Sequence, residues 1–158
     1  MAYIHGIFKN INNDTIEVRI VSNNDYQTEY VIGDESNSPI QFSIDPVSID
    51  MSLNDMFDTV IKKSCSISLI SSIFLGDILY AAQDNSITVE VYKNSIIIFN
   101  GFVEANAFNQ PWAHNYDIYQ LNCFDYLSLL QNKFWDYNAQ SDIYSFKTML
   151  QKMGFGTY

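Results

Sequence analysis

Hydrophobic and polar positions alternate in long stretches of this chain, and the clearest lies between residues 87 and 123. Ile87, Val89 and Val91 alternate with Thr88, Glu90 and Tyr92, the period-two pattern of a strand with one buried face. Lys93-Asn94-Ser95 is a polar break centred on asparagine, which tolerates positive φ. The β-branched run Ile96-Ile97-Ile98 follows with Phe99 and continues through Phe102-Val103. Two such runs around a short break predict a hairpin. Gly101 inside the second run predicts a bulge or a close backbone approach. A loop with Pro111 and Trp112 leads to a third strand over 116–123. The three strands form an antiparallel meander on which the rest should pack.

The same pattern predicts strands over 3–8, 15–21, 29–32 and 64–71. Another starts at Ile40, has Phe42 and Ile44 on one face, and ends before Pro46. Residues 45–58 read as a strand edge followed by a long excursion. In the strand 64–71, Cys65, Ile67 and Leu69 share one face and Ser66 and Ser68 the other. A short helix over 77–82 has Gly76 or Asp77 as its cap. Asp125 caps a helix with Leu127, Leu130 and Phe134 at helical spacing. Asp142 caps a last helix with Ile143, Phe146, Leu150 and Met153 on one stripe, and Gly154 stops it. The chain thus divides into a β-barrel or sandwich over 1–124 and a helical extension over 125–158.

Composition narrows the function classes. The chain has 158 residues, enough for one domain with a proper core. Its formal net charge is −10, and Arg19 is the single arginine. Such a surface repels phosphate and disfavours stable wrapping of nucleic acid. Cys65 and Cys123 fall in predicted strands and read as buried free thiols, because nothing marks a secreted chain; a disulfide is the other reading. The start lacks the pattern of a signal peptide, and no apolar run approaches the ~20 residues of a membrane span.

Candidate chemistry is sparse. His5 and His114 are the two histidines, and neither has a partner at metal-ligand spacing. No nucleophile elbow or phosphate-cradling loop occurs. Asp45, Asp50, Asp55 and Asp58 lack the spacing of a calcium loop and read as a solvated acidic face. Nothing singles out a carboxylate pair for glycoside hydrolysis. The expectation is a protein that is not an enzyme and needs no metal or organic cofactor. Asn13-Asp14-Thr15 matches a glycosylation acceptor but reads as a turn. Trp112, Phe108 and Tyr116 read as pins holding their loop to the sheet. The other reading of this loop is stacking on sugars, as in a carbohydrate-binding β-sandwich module of a phage adhesion device.

The order of motifs carries a resemblance. Ser64-Cys65-Ser66-Ile67-Ser68-Leu69 precedes the short helix. Then come Val89-Glu90-Val91-Tyr92-Lys93-Asn94, Phe99-Asn100-Gly101-Phe102, Trp112 and Tyr116–Cys123, and Asp125-Tyr126-Leu127 opens a helix. Over residues 3–135 this resembles the tail-hub and baseplate-hub proteins of tailed bacteriophages, especially phages of gut Bacteroidetes. Tyr126 stands where that family has glycine, which alters the turn into the helix.

The resemblance implies a tail-tube-like barrel or sandwich with a short flanking helix and C-terminal helices. It implies a structural virion protein, assembled in the host cytoplasm with copies of itself and other tail proteins. DNA passes through the resulting ring without specific binding. Roughly six copies would form it, or three if the natural chain carries a second barrel. Asp34, Glu35, Asp45, Asp50 and Asp55 are the candidate acidic lumen. Ile143, Phe146, Leu150 and Met153 are the candidate partner interface.

Overall fold

The computed structural model describes residues 2–23, 28–33, 38–52, 62–83, 86–105 and 117–128. Strands β1 (Ala2–Lys9), β2 (Thr15–Ser22), β3 (Glu29–Ile32), β4 (Ile40–Ser52) and β5 (Lys62–Ser71) come first. A four-residue helix, α1 (Gly76–Leu79), leads to β6 (Ile87–Lys93), β7 (Ile96–Val103) and β8 (Asp117–Asp125). All eight strands belong to one sheet in the order β3-β1-β2-β6-β7-β8-β5-β4, curled into a half-barrel. The expected meander β6-β7-β8 occupies its middle.

The chain is mainly β, as the alternation predicts, but the sheet is mixed. β1 is flanked by β2 and β3, and β2 by β1 and β6. With both edges of β2 occupied, β3 joins the far edge of β1 and runs parallel to it. At the two ends of the sheet, the Gly33 N–H donates to the Ile40 carbonyl at 2.9 Å, beside a single bridge between Gly33 and Gln41. Nearby, the Phe8 and Phe42 rings meet edge-on at 4.8 Å. Gly6 makes room for this closure: a Cβ there would lie 2.6 Å from Ile32 Cβ and 2.9 Å from the Phe42 ring.

The concave side of the sheet is the core. Ile4, Val18, Ile20, Ile67, Leu69, Val89, Val91, Phe99, Tyr119 and Leu121 fill it. Cys65 and Cys123 lie in it as free, buried thiols. In the meander, Val89, Val91, Phe102 and Leu121 are buried and Ile98 is half-buried. Phe102 lies outside the core cluster and packs on Tyr126, with ring centroids 5.8 Å apart.

Four local expectations are corrected. β4 does not end before Pro46 but runs to Ser52, with its pairing to β5 interrupted between Phe42 and Val47. Pro46, which has no N–H to donate, falls in the unpaired stretch. Ile44 lies in the same stretch and is 97 % exposed rather than sharing the face of Ile40. The bulge of β7 is at Ile98, where the register with β6 shifts, and not at Gly101. Gly101 serves the other predicted purpose, close approach: a Cβ there would lie 2.0 Å from the Phe124 carbonyl oxygen.

The fourth correction concerns α1, which is shorter than predicted and is capped by neither Gly76 nor Asp77. Leu75 is its cap residue and offers no side-chain bond. The Leu75 N–H instead donates to the buried Tyr119 hydroxyl at 2.9 Å, and that hydroxyl donates to Asp117 Oδ2 at 3.2 Å. Asp125 does start a helical turn. Its Oδ1 accepts from the Ser128 N–H at 3.1 Å, over one 3₁₀ turn at residues 126–128. The predicted helices beyond this turn lie outside the described residues.

Candidate interaction surfaces

The convex face of the sheet differs between its two halves. On the β3-β1-β2-β6 side, alternation turns Tyr3 and His5 of β1, Glu17 and Arg19 of β2, and Glu90 and Tyr92 of β6 away from the core. Register places Arg19 between His5 and Glu90, and Glu17 opposite Tyr92. Arg19 Nε donates to Glu17 Oε1 at 2.6 Å, and its guanidinium sits 4.5 Å over the Tyr92 ring. The Tyr92 hydroxyl donates to Glu90 Oε2 at 2.8 Å. The Glu17 bond holds the Arg19 pKa above its ordinary value, and the Glu90 bond does the same for Tyr92. His5 stacks on Tyr3 at 4.9 Å, and its Nε2 lies 3.0 Å from Glu29 Oε1.

This network ties up the only guanidinium of the chain. Arg19 is held by its own strand neighbour Glu17 and by the Tyr92 face, with Glu90 as its register partner on β6, while Glu29 of β3 bonds His5. The result is an ordered, net acidic surface. Sequence reading missed it, since the alternation exposes each residue singly and only the register brings them together.

On the β8-β5-β4 side the central part of the convex face is uncharged and mostly polar. Ser64, Ser66 and Ser68 of β5 stand opposite Phe124, Asn122 and Gln120 of β8, and Ser66 also faces Ser48 of β4. Gln120 Nε2 donates to Ser66 Oγ at 3.3 Å. Asp50 and Lys62 bound this face at one end, and the register pair Ile70 and Ile118 bounds it at the other.

The Ile16–Lys93 end of the β2–β6 pairing is also tied. Asp14, in the β1–β2 turn, accepts from Lys93 Nζ and from Asn94 Nδ2, each at 2.8 Å, and from Asn10 Nδ2 at 3.2 Å. These partners pull its carboxyl down to about 2. Asn94 and Ser95 both adopt positive φ in the β6–β7 turn, as a tight hairpin of the primed kind requires.

Of the acidic residues expected to line a channel, Asp45 and Asp50 both lie on β4 and are exposed. Asp50 is on the convex face, opposite Ser64, and Asp45 is in the stretch where β4 and β5 lose register. Asp34, Glu35 and Asp55 lie outside the described residues, as do Ile143, Phe146, Leu150 and Met153, and the Trp112 loop. Among the described residues no group of three or more His, Cys, Asp or Glu side chains is placed to hold a metal. Among them, too, no helix is long and apolar enough to cross a membrane. No protein-family model and no curated protein matches the chain.

Proposed function

We propose that this chain is a structural virion protein of a tailed bacteriophage, a tail-hub or baseplate-hub component. Copies of it surround the channel through which DNA is ejected. The observation that carries this reading is the division of the convex face into an acidic half and an uncharged half. A chain of net charge −10 meets a second copy of itself against electrostatic repulsion. An uncharged face removes that repulsion where the copies touch, and charge depletion is the compositional mark of an interface core. The acidic half then turns toward DNA and repels it, so the duplex slides without sticking, and Asp50 and Asp45 of β4 stand at the margin of the contact. Closed cyclic symmetry satisfies identical interfaces and leaves no open end. The protein acts in this reading as a wall element: it performs no catalysis and requires no cofactor. It is assembled in the bacterial cytoplasm and ends in the virion tail.

Native mass spectrometry of the full chain over a concentration series tests this reading. The expected result is a closed oligomer of roughly six copies that dissociates when Ser66→Glu and Asn122→Glu place like charges on the uncharged face. The same oligomer should give no detectable binding to duplex DNA at physiological salt. A strictly monomeric protein at high concentration overturns the reading. So does tight DNA binding with a steep salt dependence.

A further inference from the structure

We propose that Cys65 and Cys123 form a convertible cross-strand pair, which a small disulfide oxidant closes into a bond between β5 and β8. The observation is positional. Cys65 and Cys123 are direct register partners in the antiparallel β5–β8 ladder, and both side chains turn into the core. Residues directly opposed in such a ladder have Cα atoms about 4.5 or 5.5 Å apart. Both separations fall within the roughly 4.4–6.8 Å that a disulfide spans. Cβ atoms of opposed pairs, about 4.5–5.5 Å apart, need only a small approach to reach the roughly 3.5–4.5 Å of the bond. No strand has to slide: the ladder holds seven further register pairs around this one.

The reaction balances as two exchanges. One cysteine thiolate attacks a sulfur of the oxidant, such as oxidised glutathione, and releases one small thiolate. The second cysteine thiolate attacks the protein sulfur of that mixed disulfide and releases the other. Two protein S–H bonds are lost and one S–S bond forms. The two electrons reduce the oxidant to two thiols, which retain or exchange the two protons with water.

Burial sets the rate. It pushes the Cys65 thiol up to about 12 and the Cys123 thiol well above its ordinary value. Thiolate is therefore scarce in the closed sheet. Both thiols are almost completely shielded, so the first exchange waits for local opening of β5 and β8. The pair is inert to brief oxidation and reacts slowly on long exposure. The bond would join strands that are distant in sequence and staple β8 on the side opposite its short ladder with β7.

The test incubates the reduced full chain with oxidised glutathione, in native buffer and just below its urea midpoint, and then returns it to native buffer. The expected product has no titratable thiol in place of the two free ones, a mass lower by two hydrogens, and one cross-linked peptide containing Cys65 and Cys123. Its Tm rises by roughly 5–15 °C, and reductant reverses the rise. Closure is faster in the urea arm than in native buffer. Cys65→Ala should instead keep one glutathione on Cys123, reporting that the oxidant arrives. Persistence of both thiols in the wild-type chain, glutathione retained on both, bonds between chains, or a lowered Tm would each overturn the proposal.

Discussion

The two halves of the curled sheet reach the same dryness by different means. In β1-β2-β6 the ladders are unbroken: eight register pairs join β1 to β2 and seven join β2 to β6. Side chains there have only to point inward, and strict alternation does that. In β7-β8-β5-β4 the backbone is irregular on both sides of the continuous β5–β8 ladder. β7 and β8 share three register pairs, β7 is bulged at Ile98, and β4 loses its pairing between Phe42 and Val47. Here side chains bond what the ladders leave over. The buried carboxylate of Asp125 accepts from the Lys63 N–H at 2.9 Å, and Lys63 Nζ donates to the Ile98 carbonyl at 3.3 Å. Tyr119 holds the start of α1. Regularity needs hydrophobic pattern alone, whereas irregularity needs specific polar residues in the core.

The largest effect should be common to both halves. Ile20 in the regular half and Leu121 in the irregular half are almost fully buried. Truncating either to Ala should destabilise by about 2–5 kcal/mol, measured by urea unfolding. A loss below about 1 kcal/mol at Leu121, on the scale of surface substitutions, would mean that β8 is out of register and that the two halves do not share one core.

A polar change should separate them. Tyr119→Phe keeps the ring in the core but removes the hydroxyl that accepts from the buried Leu75 N–H. An unsatisfied buried donor costs about 1–3 kcal/mol. Burial and the Asp117 carboxylate keep the Tyr119 hydroxyl protonated above its ordinary range, partly opposed by the Leu75 bond. The expected result is a loss of that size, with faster amide exchange localised to α1 and the preceding residues. An unchanged exchange pattern would show that α1 is held by packing alone, and the contrast between the halves would weaken.

How much of this was legible in the sequence follows the same division. β1, β2, β5 and β6 could be read from alternation because one face of each is buried without interruption. β3 could be located but not placed, since its parallel partner depends on which edges are already filled. β4 beyond Pro46 was hidden because proline ends a strand only where its missing N–H is needed, and an interrupted ladder does not need it. The Ile98 bulge was masked by four consecutive apolar residues, Ile96 to Phe99, which carry no period. For the candidate surfaces, the acidic side chains Asp45 and Asp50 were visible as charges, but their seat on a bulged strand was not. The Arg19 network was invisible because its members come from β2 and β6, some seventy residues apart. The uncharged convex face was half visible, in Ser66 and Ser68; its other half, Gln120 and Asn122, needed the β5–β8 register.

The smallest expected effect belongs to the regular half and depends on pH. Asp14 ties the β1–β2 turn to the β6–β7 turn, and its carboxyl titrates at about 2 instead of the ordinary 3.8. The bond to Lys93 contributes most to this shift, ahead of those to Asn94 and Asn10. A carboxyl whose pKa is lower in the folded chain binds fewer protons there than in the unfolded chain. Its contribution to stability is therefore complete above the unfolded value and is lost as pH falls from about 4 toward 2. Asp14→Asn removes that loss, so urea midpoints of wild type and variant should converge across this window while differing at neutral pH. The effect is modest because the pair lies at the surface, with Lys93 45 % and Asp14 21 % exposed. Salt separates the two kinds of partner: it screens Lys93 but leaves the Asn94 and Asn10 bonds in place. Carboxyl chemical shifts of Asp14 should move its titration toward 3.8 in high salt without reaching it. A titration already at the ordinary value in low salt would leave the two turns joined by Asn94 and Thr15, through the Asn94 N–H to the Thr15 carbonyl and the Thr15 N–H to Asn94 Oδ1. The regular half would then owe nothing to the Asp14 carboxylate.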